Sequence, residues 1–130
     1  MSKNGLTQIY PYQMSKSKYS EYELQKAVVD FIKLQYPKML YCGSAGGVRT
    51  SMSQAKKMKA TGYIKGFPDL FIYEPRGKYS GLAIELKVKG NYPSKEQKEW
   101  IERLKMRGYQ AKVCTGFEEC IQTIQNYLRC

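Results

Sequence analysis

The chain has 130 residues, room for one domain and not for a second independent core. Its 42% hydrophobic content is too high for a disordered tail, and 22 lysines and arginines against 11 aspartates and glutamates give a net charge of +11, which favours a polyanionic partner such as a phosphate backbone. There is no histidine, which excludes histidine metal sites and histidine general bases and leaves carboxylates, lysine, amides and hydroxyls for any catalysis.

Residues 1–19, with Tyr10, Pro11 and Tyr12, show no sustained period and read as an N-terminal arm before a domain over 20–130. They lack the apolar centre of a signal peptide, and no stretch approaches the roughly 20 apolar residues of a membrane helix, so a cytoplasmic protein without membrane contact is expected, in the host cytoplasm if phage-encoded. From Ser20 the pattern is helical: Leu24, Ala27, Val28, Phe31, Ile32 and Leu34 recur at three- and four-residue steps, stopping before Pro37. Ser20 and Glu23 have the spacing of a capping box. A short strand is predicted around 39–42, then a Gly-rich loop over 43–47, then a basic helix over 51–60 ended by Gly62. That loop lacks the Gly-Lys-Ser/Thr ending of a phosphate-binding loop, so no nucleotide cofactor is expected.

After Gly66-Phe67-Pro68 the run 69–73 reads as a strand, and a turn through Pro75-Arg76-Gly77 leads to a second strand over 81–88, making a hairpin. A helix opens at Pro93-Ser94, carries Trp100, Ile101 and Leu104, and closes at Gly108; a strand over 110–115 and an amphipathic helix over 117–128 complete the chain. The order α, β, α, β, β, α, β, α predicts an α/β fold with a mixed sheet flanked by helices. The four cysteines, Cys42, Cys114, Cys120 and Cys130, show no C-x-x-C spacing and read as reduced thiols, mostly in the core.

In a strand, residues two apart share a face, so Glu85 and Lys87 project together while Ile84, Leu86 and Val88 face the other way. Alone, this is also the pattern of a solvated charged face. Asp69 changes the reading: it starts the preceding strand, sixteen residues upstream of Glu85, where a hairpin brings the two carboxylates together. Paired carboxylates repel unless a cation neutralises them, and oxygen ligands of this kind suit Mg²⁺, with Mn²⁺ able to substitute. Such an ion polarises a phosphoryl oxygen and lowers the pKa of a water, while Lys87 orients that water and stabilises charge on the phosphate. Between the Gly-rich loop and Asp69, the residues Arg49, Lys56, Lys57, Lys59 and Lys65 gather positive charge and are assigned to DNA phosphates.

With these residues in place, the chain resembles the VRR-nuclease (VRR-NUC) family of the PD-(D/E)xK nuclease superfamily, in its stand-alone phage and bacterial form. The resemblance runs from about Glu21 to Val113 and includes Gly46-Gly47-x-Arg49, Ala55, Lys59, Gly62, Gly66-Phe67-Pro68-Asp69-Leu70, Ile84-Glu85-Leu86-Lys87 and Ser94-x-x-Gln97-x-x-Trp100. Ala45 departs from it, since relatives often carry asparagine before the glycine pair. The resemblance implies a restriction-endonuclease-like fold, metal ligands at Asp69, Glu85 and the Leu86 backbone carbonyl, Lys87 as the catalytic lysine, and a glutamate from the first helix. Glu21 and Glu23 both qualify for that last role; Glu23 already serves the Ser20 cap and Glu21 lies nearer the buried face, which favours Glu21. Gln97 has two readings, an active-site amide or the partner of Ser94 in a capping box, and Trp100 reads as core.

The expected activity is metal-dependent hydrolysis of DNA phosphodiesters, structure-selective on branched DNA such as Holliday junctions. Symmetric resolution of a junction calls for two active sites and hence a homodimer. The alternatives are an exonuclease or flap nuclease with the same site, and a non-catalytic DNA-binding protein whose carboxylates merely balance Lys87.

Overall fold

The computed structural model describes residues 19–44 and 51–130. In chain order these form α1 (Glu21–Gln35), β1 (Tyr41–Gly43), α2 (Met52–Ala60), β2 (Leu70–Ile72), β3 (Leu82–Lys87), α3 (Lys95–Met106), β4 (Gln110–Thr115) and α4 (Phe117–Leu128). The predicted order of elements is the observed one. The two hairpin strands are one residue shorter at each end than expected, and β1 starts two residues later and ends one residue later than the expected 39–42.

The four strands lie side by side in the order β1-β2-β3-β4. Antiparallel pairing joins β1 to β2 and β2 to β3, with Leu70 opposite Ile84. The β2–β3 turn is closed by a bridge between Arg76 and Tyr79. Strand β4 runs parallel to β3, with Glu85 opposite Val113 and Lys87 opposite Thr115. A parallel neighbour needs a crossover, and α3 supplies it.

Ser20 caps α1: its hydroxyl accepts from the Glu23 N–H, and the Glu23 carboxylate accepts from the Ser20 N–H. The buried stripe Leu24, Ala27, Val28, Phe31 and Ile32 then packs with Phe117, Cys120, Ile121, Ile124 and Tyr127 of α4 on one face of the sheet, against Leu70, Ile72, Leu82, Ile84 and Leu86. Each of these large side chains contributes about 1.5–3 kcal/mol by leaving water. On the other face Ile101 and Leu104 of α3 cover Phe71, Ala83 and Ala111. The small alanines leave room for the helix to approach.

Two expectations are corrected. Cys42 and Cys130 are exposed, and only Cys114 and Cys120 are core thiols, because Cys42 lies on the edge strand and Cys130 is the last residue. Leu34 is also exposed; at 100° per residue it falls at the margin of the arc set by Leu24 and Phe31.

Candidate active site

Strand β3 is covered on both faces, and all six of its residues are buried. Such a strand normally reads as a continuous apolar run. Glu85 and Lys87 break that run: their exposures are 2% and 9%, so the solvated-face reading of the Glu-x-Lys pattern does not apply. Placing charge there is costly unless partners compensate it.

The partners come from three elements. Continuing the β2–β3 register by one residue sets Asp69 opposite Glu85, and the Asp69 Oδ2 atom accepts the Leu86 N–H at 2.8 Å. Lys87 Nζ lies 3.6 Å from Glu85 Oε2 and 3.8 Å from Glu21 Oε2, at the start of α1. Glu21, Asp69, Glu85 and Lys87 are thus brought together at one end of the sheet. Glu23 is not; its carboxylate is engaged in the Ser20 cap.

Burial raises the Glu85 pKa from 4.5 to about 8, assisted by the Asp69 charge and a hydrogen bond to it, against the lowering effect of Lys87. The Asp69 pKa is also raised, first by burial, and the Leu86 N–H is the largest influence holding it down. The ion pair with Lys87 favours an ionised Glu85, but desolvation and the facing carboxylate outweigh it. Without a cation the two acids therefore retain a shared proton, carried on Glu85.

Whether these residues suit a divalent ion can be judged from their unmet valences. Glu85 Oε1 is buried and has no hydrogen-bond partner among the described residues. Once the shared proton leaves, a carboxylate oxygen in that state, beside Asp69 and the Leu86 main chain, is the donor set of a hard cation. No group of three or more acidic or cysteine side chains is clustered as a metal cage among the described residues, so such an ion would keep part of its shell as water, as Mg²⁺ usually does. The residues fit.

A cleft of about 440 Å³ opens beside the carboxylates, lined in part by Glu21, Tyr22, Gln25, Ser44, Asp69 and Leu86. Two of these residues, Gln25 and Ser44, carry no role that the sequence alone suggests. The Asp69 carbonyl accepts the Ser44 N–H at 2.8 Å and the Gln25 side-chain amide at 3.3 Å, so both hold the Asp69 main chain in place. Gly43 permits this, because a Cβ there would stand 3.0 Å from Gln25 Nε2. The one available signal is that Gln25 follows Glu21 by four residues on the same helix face.

The remaining assigned residues are not joined to the carboxylates by any hydrogen bond or ion pair among the described residues. Gln97 takes the capping position, its Oε1 accepting the Ser94 N–H at 2.8 Å. Trp100 packs against Phe67, ring centroids 5.0 Å apart, beside the α3 core. Lys56, Lys57 and Lys59 are exposed on α2, a helix with no buried residue. Lys65 faces the start of α3, where it helps the backbone hold the Glu96 carboxyl below its usual range. Arg49, Ala45, Gly46 and Gly47 lie outside the described residues, as do residues 1–18 of the expected arm.

Comparison with known proteins finds chains of similar sequence and fold. The family model described as the VRR-NUC domain matches residues 7–118. A solved structure described as a VRR-NUC domain protein is 37% identical, covers 85% of this chain and 89% of its own, and superposes with a TM-score of 0.74. A second, described as a VRR-NUC domain, shares the fold at 22% identity, with a TM-score of 0.56 over 82% of this chain and 96% of its own. Among curated proteins none matches.

Proposed function

This chain belongs to the VRR-NUC family, a nuclease-type domain, and from that premise we propose that it is a metal-dependent DNA endonuclease that cuts branched DNA such as Holliday junctions as a homodimer. The observation that carries the reading is the convergence of Asp69, Glu85 and Lys87, a half-buried acid, a buried acid and an ammonium, beside an open cleft. Asp69, Glu85 and the Leu86 carbonyl would hold Mg²⁺ or Mn²⁺. A bound ion supplies Lewis-acid polarisation of the phosphoryl oxygen and acidifies a water.

The chain's own residues do the rest. Lys87, fixed between Glu85 and Glu21, donates hydrogen bonds to the attacking water or to the phosphoryl oxygens as negative charge builds on them. Glu21, half exposed at the cleft, keeps the ammonium aimed. Lys56, Lys57, Lys59, Lys65 and Arg49 bind flanking phosphates without reading sequence. No helix among the described residues is long and apolar enough to cross a membrane.

The test is nicking of a labelled four-way junction beside matched duplex and flap DNA, with Mn²⁺, Mg²⁺ or EDTA, and with Lys87→Ala as control. Paired symmetric cuts that require metal and Lys87 are expected. Cutting confined to ends or flaps would keep the chemistry and remove the junction assignment. Tight binding without cutting by wild type would remove the nuclease.

A further inference from the structure

One hydroxyl at this site has no hydrogen-bond partner among the described residues. Ser44 follows β1, and its N–H is committed to the Asp69 carbonyl at 2.8 Å, so its position beside the carboxylates is fixed by the main chain. Its side-chain Oγ is buried yet has no hydrogen-bond partner among the described residues. The only other side-chain atom in that condition among them is Glu85 Oε1. A buried polar atom left unpaired is destabilising, and native structures retain few of them without a missing ion, water or ligand to explain each. Both orphan atoms belong to residues whose main chains flank Asp69, and Ser44 lines the same cleft as Asp69 and Glu21.

The two atoms want different partners. Glu85 Oε1 is a carboxyl oxygen and suits a cation that displaces the shared proton. The Ser44 hydroxyl is neutral and can donate. Around it Asp69 Oδ2 already takes the Leu86 N–H, and the Asp69 carbonyl takes two donors. A ligand in the cleft that brings its own acceptor would use the free hydroxyl proton. A site built around acidic side chains repels an anionic substrate unless donors face that substrate, and Lys87 is one such donor at this end of the sheet.

Resting on the nuclease reading above, we propose that Ser44 is a substrate-binding residue whose hydroxyl donates a hydrogen bond to a non-bridging phosphate oxygen of the DNA strand in the cleft. Its hydroxyl has no partner among the described residues of the free chain and gains one in the complex, which favours the bound state.

Ser44→Ala tests this through three readouts: single-turnover nicking of a labelled four-way junction at saturating enzyme with Mn²⁺, anisotropy binding of the same DNA in EDTA, and thermal unfolding without DNA or metal. The variant is expected to lose about tenfold in nicking rate or in DNA affinity, while its melting temperature stays level or rises because an unmet polar group has been removed. Wild-type-like nicking and binding in the variant would overturn the proposal. So would a fall in melting temperature alongside the lost function, since the hydroxyl would then be holding the fold. If wild type cuts none of the junction, duplex or flap substrates, the nuclease reading fails by itself, and binding in EDTA still decides whether Ser44 holds phosphate.

Discussion

Glu85→Gln should make the metal-free protein more stable, although it alters a fully buried residue at the centre of the site. The Glu85 pKa rises from 4.5 to about 8 on folding. Between those values the folded chain holds a proton that the unfolded chain has released, so stability is complete below pH 4.5 and falls as pH rises towards 8. Each pH unit in that window costs about 1.4 kcal/mol, so by pH 7 the carboxyl has cost about 3 kcal/mol. Glutamine matches the protonated acid in shape, can still donate to Asp69, and has no proton to lose. In EDTA at pH 7, urea unfolding should place the variant about 3 kcal/mol above wild type, and the gain should vanish near pH 4. Saturating Mn²⁺ should then stabilise wild type and leave the variant unmoved. A Glu85→Gln protein less stable than wild type at pH 7 in EDTA, or one that follows the wild-type pH profile, would refute the reasoning.

Three further outcomes depend on particular residues. Ser20→Ala removes the α1 cap and should lower stability by about 1 kcal/mol with cleavage retained, whereas Glu21→Gln should leave melting unchanged and slow single-turnover cleavage about tenfold or more; the reverse pattern would exchange the roles of the two positions. Replacing Lys56, Lys57 and Lys59 together with alanine should leave stability within about 0.5 kcal/mol, since α2 has no buried residue. The same triple variant should show a slope of log affinity against log salt that is shallower by about 0.9 for each phosphate it no longer neutralises, as read by anisotropy titrations at several salt concentrations. Gly66→Ala should destabilise by at least about 2 kcal/mol in chemical denaturation, because Gly66 has φ +94° and a Cβ there would lie 2.7 Å from the Glu96 backbone carbon.

What the sequence reveals here follows the range of the interactions involved. The Ser20 and Ser94 caps are three-residue patterns, and both form. The Asp69 to Glu85 approach is legible because a hairpin turns a sixteen-residue separation into a cross-strand neighbour, and a period of two then places Lys87 on the same side. Glu21 is legible only through the family resemblance, which implies a glutamate from the first helix; the Ser20 cap engages Glu23, and Glu21 lies nearer the buried face. Gln25 and Ser44 are not legible, since their hydrogen bonds to Asp69 join separate elements, Gln25 across 44 positions, and no local pattern encodes them. The burial of Glu85 is hidden for a related reason: alternating Ile84, Glu85, Leu86 and Lys87 looks half-exposed until α3 is laid over the second face.

That hidden burial changes what the carboxylate pair means. On an exposed strand, Asp69 and Glu85 would both ionise and be hydrated, and a cation would have to compete with water for each oxygen. With Glu85 buried beneath α3, the carboxylate is poorly hydrated, so a retained proton or a cation takes the place of water at it. The raised Glu85 pKa measures how poorly the protein itself solvates the second negative charge. A divalent ion replacing that proton gains the whole of the unmet solvation, which is why affinity for the ion should strengthen with pH up to about 8, with one proton released per ion bound. Folding stability and the affinity for such an ion would then both depend on the same carboxyl group, whose Oε1 is buried without a hydrogen-bond partner among the described residues. A substitution that relieves the first must weaken the second.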